Sequence, residues 1–131
     1  MPQVKKRNRE QIWGIYERKT IMARQKAFDA FKRDTILLTF LKTRRGESNI
    51  VSSKEISEFL NKNGYSTKQN LVPSIVRKIM YERNAPICHC NARGYYWAES
   101  KAEIKKTILD LETRRNALQE HIDHLKNFIV E

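Results

Sequence analysis

The chain has 131 residues, 40% of them hydrophobic, enough for one small core with an extension. Its net charge of +11 and pI near 9.9 lie far from the balance of a typical enzyme. They point to an anionic partner, nucleic acid ahead of an anionic membrane surface. Two cysteines make no disulfide framework, no apolar run is long enough for a membrane span, and the basic start lacks the apolar stretch of a signal peptide. The expected location is therefore cytoplasmic.

Charge is unevenly placed. Residues 1–50 carry 13 Lys/Arg against 5 Asp/Glu, residues 51–100 carry 7 against 4, and residues 101–131 carry 6 against 6. The anion-binding role belongs to the front and middle, and the tail does something else. Lys5, Lys6, Arg7 and Arg9 form a basic arm suited to phosphates or a groove, unless it is only a solvated tail. From Gln11 to Gln25, the residues Ile12, Trp13, Ile15, Tyr16, Ile21 and Met22 predict a helix, interrupted or entered near Gly14, that packs on the domain or on a second chain. This basic extension, residues 1–25, precedes the predicted domain, residues 26–99.

The domain opens with a helix from Lys26 to Arg44, its stripe carried by Phe28, Phe31, Leu38 and Leu41 and its end marked by Arg44-Arg45-Gly46. Ser48 to Val51 reads as an extended link that could edge a small sheet. Ser52 with Glu55 is a capping box for a second helix through Ile56, Phe59 and Leu60, closing at Asn63-Gly64. Ser66 with Gln69 has the same form and precedes a third periodic run through Leu71, Ile75 and Ile79. Pro73 is tolerated only in a first turn, so the regular helix can begin as late as Asn70–Val72, leaving Lys68 and Gln69 in the turn before it. Two short β-rich runs follow, Pro86 to Cys90 and Tyr95 to Trp97, around Asn91-Ala92-Arg93-Gly94, which is hairpin grammar.

Helix, turn, helix and hairpin together predict a mainly α fold: a winged helix-turn-helix with a small β-hairpin wing, an N-terminal helical extension and a long C-terminal coiled-coil helix. The third helix would be the recognition helix. Gln69, Asn70, Ser74 and Arg77 are types that reach base edges, and Lys68 and Lys78 suit phosphates. Arg93 at the hairpin tip would touch backbone or minor groove. The competing account is an ordinary amphipathic surface helix and a solvated turn.

Ser100 with Glu103 is a third capping box, and it opens the segment 100–131. Ile104, Ile108, Leu111, Arg115, Leu118, Ile122, Leu125 and Ile129 then alternate at spacings of four and three, an a/d seam on a helix expected over about 101–130. Arg115 either snorkels from the seam or sets its register. The seam predicts a homodimer, parallel or antiparallel. Cys88-His89-Cys90 lacks the spacing of a zinc pair, and His121 and His124 are a plausible pair without partners in the local sequence, so no metal and no cofactor is expected. No nucleophile elbow, phosphate-binding glycine loop or carboxylate cluster suggests an enzyme.

The helix Ile75 to Tyr81, Pro86-Ile87, Gly94-Tyr95-Tyr96-Trp97-Ala98 and Glu103 together resemble small winged-helix proteins of bacteriophages and prophages, over about residues 34–103. The resemblance implies a DNA-binding transcription regulator or a replication accessory factor, working in a bacterial host cell. Pro73, and Asn84-Ala85 where a glycine is usual, depart from that pattern. The alternative is a phage interaction protein whose helical extensions bind and modulate a host enzyme. The expected partners are double-stranded DNA, a second copy and a host protein, with no membrane.

Overall fold

The computed structural model describes residues 8–90 and 93–129. It is mainly α-helical, with one two-stranded antiparallel sheet and a long C-terminal helix. The elements run α1 (Arg9–Lys42), α2 (Ser53–Lys62), α3 (Val72–Glu82), β1 (Ile87–Cys90), β2 (Gly94–Trp97) and α4 (Lys101–Lys126). The chain divides within α1 into two units, Met1–Ile36 and Leu37–Glu131.

In the first unit, the expected interruption near Gly14 is absent and α1 runs through it. A mid-helix glycine costs about 1 kcal/mol, which a 34-residue helix absorbs. Arg18 also folds back, its Nε donating to the Gly14 carbonyl at 3.2 Å. The helix starts on a reciprocal cap that the sequence reading overlooked. The Gln11 N–H donates to Asn8 Oδ1 at 2.9 Å, and the Asn8 N–H donates to Gln11 Oε1 at 3.1 Å. Trp13, Tyr16, Ile21, Met22, Phe28 and Phe31 stand exposed on this helix.

The second unit holds the core. Leu37 and Leu41 from the end of α1 are buried with Val51, Ile56 and Leu60, with Val72, Ile75, Val76 and Ile79 of α3, and with Tyr96 of β2. Phe40 stacks on Phe59 at 4.2 Å between centroids, joining the end of α1 to α2. The Ser52 box forms as expected: the Glu55 N–H donates to Ser52 Oγ at 3.1 Å. The expected box at Ser66 does not. Lys68 is extended, Gln69–Leu71 makes one 3-10 turn, and α3 begins at Val72 with Pro73 in its first turn. An earlier start would drive the Pro73 ring into the carbonyl four residues back. Lys68 and Gln69 therefore precede the helix.

The link between α2 and that turn is fixed by side chains. Ser57 Oγ donates to the Thr67 carbonyl at 2.7 Å, and the Thr67 N–H donates to Asn61 Oδ1 at 2.7 Å. Both helices end on a left-handed residue bridged by a bond back to the last turn, a full Schellman motif in α2. Gly64 (φ +86°) follows α2, and the Tyr65 N–H reaches the Leu60 carbonyl at 2.9 Å. Asn84 (φ +49°) follows α3, and the Ala85 N–H reaches the Met80 carbonyl at 3.1 Å. Asparagine is the residue after glycine that most readily takes this conformation, so Asn84 fills the place where the resemblance expects Gly.

The sheet pairs Ile87 with Trp97 and Cys90 with Gly94. The stretch from Ser48 is not a strand: Glu47–Asn49 is a 3-10 turn. Only Val51 joins β2 there, exchanging two hydrogen bonds of 2.8 Å with Tyr95. Closer to α1, the Gly46 N–H donates to the Trp97 carbonyl at 2.9 Å and the Trp97 N–H donates to the Arg44 carbonyl at 2.7 Å. Thus β2 is paired on both edges.

α4 is anchored by its first turn. The Glu103 N–H donates to Ser100 Oγ at 3.3 Å, and the Glu103 carboxylate accepts from the Glu99 N–H at 2.7 Å and the Glu47 N–H at 2.8 Å. Tyr96, buried beneath, hydrogen-bonds Thr107, and burial pushes its hydroxyl pKa up to about 12. The Glu99 and Glu47 amides hold the Glu103 carboxyl below its usual 4.5. The Lys106 ammonium, 2.8 Å away, and then the Cys90 thiol do the same for Glu47. Carboxyls lowered on folding stabilise the fold above their unfolded-state pKa, and that contribution is lost as pH falls through the folded values. Urea midpoints should therefore fall as pH drops below 4.5. Glu103→Gln should be less stable at neutral pH and flatter below it; an undiminished acid slope in the variant would contradict the anchoring role. The α-helix ends at Lys126, and Ile129 lies in the turn beyond it, so the helical seam stops at Leu125.

Candidate nucleic-acid interface

α3 buries Val72, Ile75, Val76 and Ile79 and turns the opposite face outward. Ser74, Arg77, Lys78 and Tyr81 fall at i, i+3, i+4 and i+7, so they share that exposed face. Ser74 Oγ donates to the Leu71 carbonyl at 2.8 Å, which occupies its proton and leaves the oxygen free to accept. Lys68, Gln69 and Asn70 are exposed in the approach to the helix. They are near the helix N-terminus without belonging to it.

A groove of about 550 Å³ runs between the start of α2, α3, the hairpin and α4. Of the expected contact residues it takes in Gln69, Arg77 and Arg93, while Lys68, Asn70, Ser74 and Lys78 do not line it. Arg93 is exposed, its N–H bound to the Cys90 carbonyl at 3.2 Å. Arg9 is the first residue of α1, and Lys5, Lys6 and Arg7 lie outside the described residues.

Two cations in the groove escaped the sequence reading, Lys54 and Arg114. Lys54 had a signal: a lysine in the first turn of a helix faces the positive end of its dipole, an unfavourable place unless an anion compensates. Arg114 had none, because only the packing of α4 brings it to the hairpin. Among the described residues no carboxylate lines the groove, but just outside it Asp110 acts on His89 and Glu47 on Arg93. His89, half-buried in its wall, is held below the ordinary histidine pKa, first by burial and then by the Arg114 charge.

The seam of α4 is open. Thr107 is the buried residue of this helix, whereas Ile108 is 47% exposed and Leu118 63%. Ile104, Leu111, Ile122 and Leu125 are also exposed large apolar side chains, and Arg115 is exposed beside them. Cys88 is buried and Cys90 half-buried, with Cys90 Sγ 3.5 Å from Glu47 Oε1. Among the described residues, no three His, Cys, Asp or Glu side chains are grouped to hold a metal ion. No helix among them is long and apolar enough to cross a membrane. Comparison with protein-family models, curated proteins and solved structures finds no match for this chain.

Proposed function

We propose that the chain is a dimeric double-stranded-DNA-binding protein of the small phage winged-helix type, a transcription regulator or replication accessory factor in the cytoplasm of a bacterial host. In this reading α2, its connection and α3 are the helix-turn-helix, and the hairpin is the wing. Ser74 and Arg77, with Gln69 and Asn70 from the preceding turn, read base edges. Lys68, Lys78, Arg93 and the arm Lys5, Lys6, Arg7 and Arg9 hold phosphates. The observation that carries the reading is one exposed polar face on α3, continued through Arg77 and Arg93 into a groove whose described lining holds four cations and no carboxylate.

The seam from Ile104 to Leu125 pairs two copies. A second copy is the occupant favoured here because the apolar positions keep a heptad register, which matches the same register on an identical helix. Dimerisation lets two half-sites be read together. A host protein is the alternative partner, and the exposed Trp13, Tyr16, Ile21 and Met22 of α1 favour it.

Retardation of duplex DNA by the full chain at low salt tests the first reading, and unaltered migration overturns it. Sedimentation of the full chain carrying Leu118→Lys and Ile122→Lys tests the second half. A monomer is expected; a persistent dimer would place the interface elsewhere.

A further inference from the structure

Lys54, Arg77, Arg93 and Arg114 come from α2, α3, the hairpin and α4, four elements that meet only through the fold. None of the four has a salt bridge or a hydrogen bond from its side chain among the described residues. Four cations line one concavity, while the two nearby carboxylates, Glu47 beside Arg93 and Asp110 beside His89, stay outside its lining, so a net positive potential is focused into it. Yet the groove is not simply a polar channel. Val76, Met80 and Ile87 contribute an apolar floor, and Tyr81 and Tyr95 flank it. At about 550 Å³ it falls in the range of small-molecule sites, about 300–1,000 Å³.

Bare phosphate would leave that floor and those rings unused. The rigid backbone of a duplex, a convex surface, would meet the rim rather than the floor. An anion that also carries a flat ring satisfies both halves. We propose that this groove is a binding site for a nucleoside phosphate, with its phosphates among Lys54, Arg77, Arg93 and Arg114 and its base over the apolar floor beside Tyr81. Arginine forks suit phosphate oxygens, and a base stacked on an aromatic ring contributes about 1–3 kcal/mol. The same chemistry could come from a free nucleotide or from an unpaired nucleotide at a strand end. The site stands whether or not the chain binds duplex DNA.

Calorimetric titration of the full chain with adenosine diphosphate and, separately, inorganic pyrophosphate tests the proposal. The diphosphate nucleoside is expected to bind about tenfold tighter than pyrophosphate, the factor that a base contact of this size supplies. Arg114→Gln should weaken both ligands about tenfold while blunt-duplex retardation stays unchanged. Tyr81→Ala, at an exposed position, should erase the preference for the nucleoside and leave pyrophosphate binding as it was. Equal binding of the two ligands, no heat from either, or unchanged binding by the Arg114→Gln chain would overturn the site. A blunt duplex and the same duplex with a 5′-phosphorylated single-stranded overhang provide the second arm. Tighter binding of the overhang duplex than of the blunt one, lost in the Arg114→Gln chain, assigns the site to a strand end, and equal binding of the two duplexes assigns it to a free nucleotide. Failure of nucleotide binding with the blunt duplex still retarded would remove this site alone. Failure of the duplex with nucleotide binding intact would remove the regulator reading instead.

Discussion

Between 50 and 200 mM salt, the affinity of the chain for duplex DNA is expected to fall about 10³-fold. The figure follows from counting phosphate contacts. Lys68, Lys78 and Arg93, exposed beside α3, on it and at the hairpin, are three per copy. A dimer would neutralise about six phosphates, and each released counterion contributes about −0.9 to the slope of log affinity against log salt, giving about −5.4. A monomer with the same three contacts would show about −2.7 and lose only about 40-fold over that range. The slope therefore reports binding mode and oligomeric state together. Lys78→Gln with Arg93→Gln should reduce the dimer slope by about 3.6, because two contacts disappear from each copy. A slope near zero, or one untouched by the double substitution, would show that this face is not where DNA sits. The arm Lys5 to Arg9 would steepen the slope if it joins the complex, and its deletion measures that share.

Gly94→Ala is expected to destabilise the chain by about 3 kcal/mol or more, a large part of the 5–15 kcal/mol that holds a small domain together. Gly94 sits at φ +135°, a conformation that side chains rarely adopt. A Cβ there would also occupy the space of the Val51 carbonyl and crowd Ser52 Cα. Both obstacles are backbone, so no rotamer change relieves them. Val51 would be pushed from β2, and with it the paired hydrogen bonds to Tyr95 and a fully buried core position. The same substitution at Gly14 should act oppositely. Nothing lies within 4 Å of a Cβ at that position, and alanine in a helix interior is favoured over glycine by about 1 kcal/mol. Urea unfolding of the two variants compares them directly. Equal midpoints for Gly94→Ala and the parent would refute the close approach of Val51 to the hairpin.

Local chemistry explains which elements were legible in advance. The caps at Ser52 and Ser100 involve groups three residues apart, so the residue types suffice to announce them. The hairpin was legible from its flanking β-rich runs and its glycine. The start of α3 followed from Pro73, whose missing N–H and ring forbid an earlier turn. The unbroken α1 was not legible, because one glycine is a small penalty and the competing reading of two helices used the same apolar residues. The Asn8–Gln11 cap obeys the same three-residue rule, but it straddles the boundary between the basic arm or solvated tail and the predicted helix from Gln11.

By itself the sequence determined what depends on neighbours along the chain: helical faces, caps, the hairpin, the charge gradient and the heptad register of α4. Only the tertiary structure decided what depends on residues far apart. Glu103 holds the Glu47 amide across 56 positions, and Val51 closes the free edge of β2. Arg114, distant from Lys54 in sequence, reaches the same groove because Thr107 and Glu103 fix the rotation of α4 on the sheet. Periodicity tells which residues share a face; what that face meets is set by packing, and packing made the cation-lined groove.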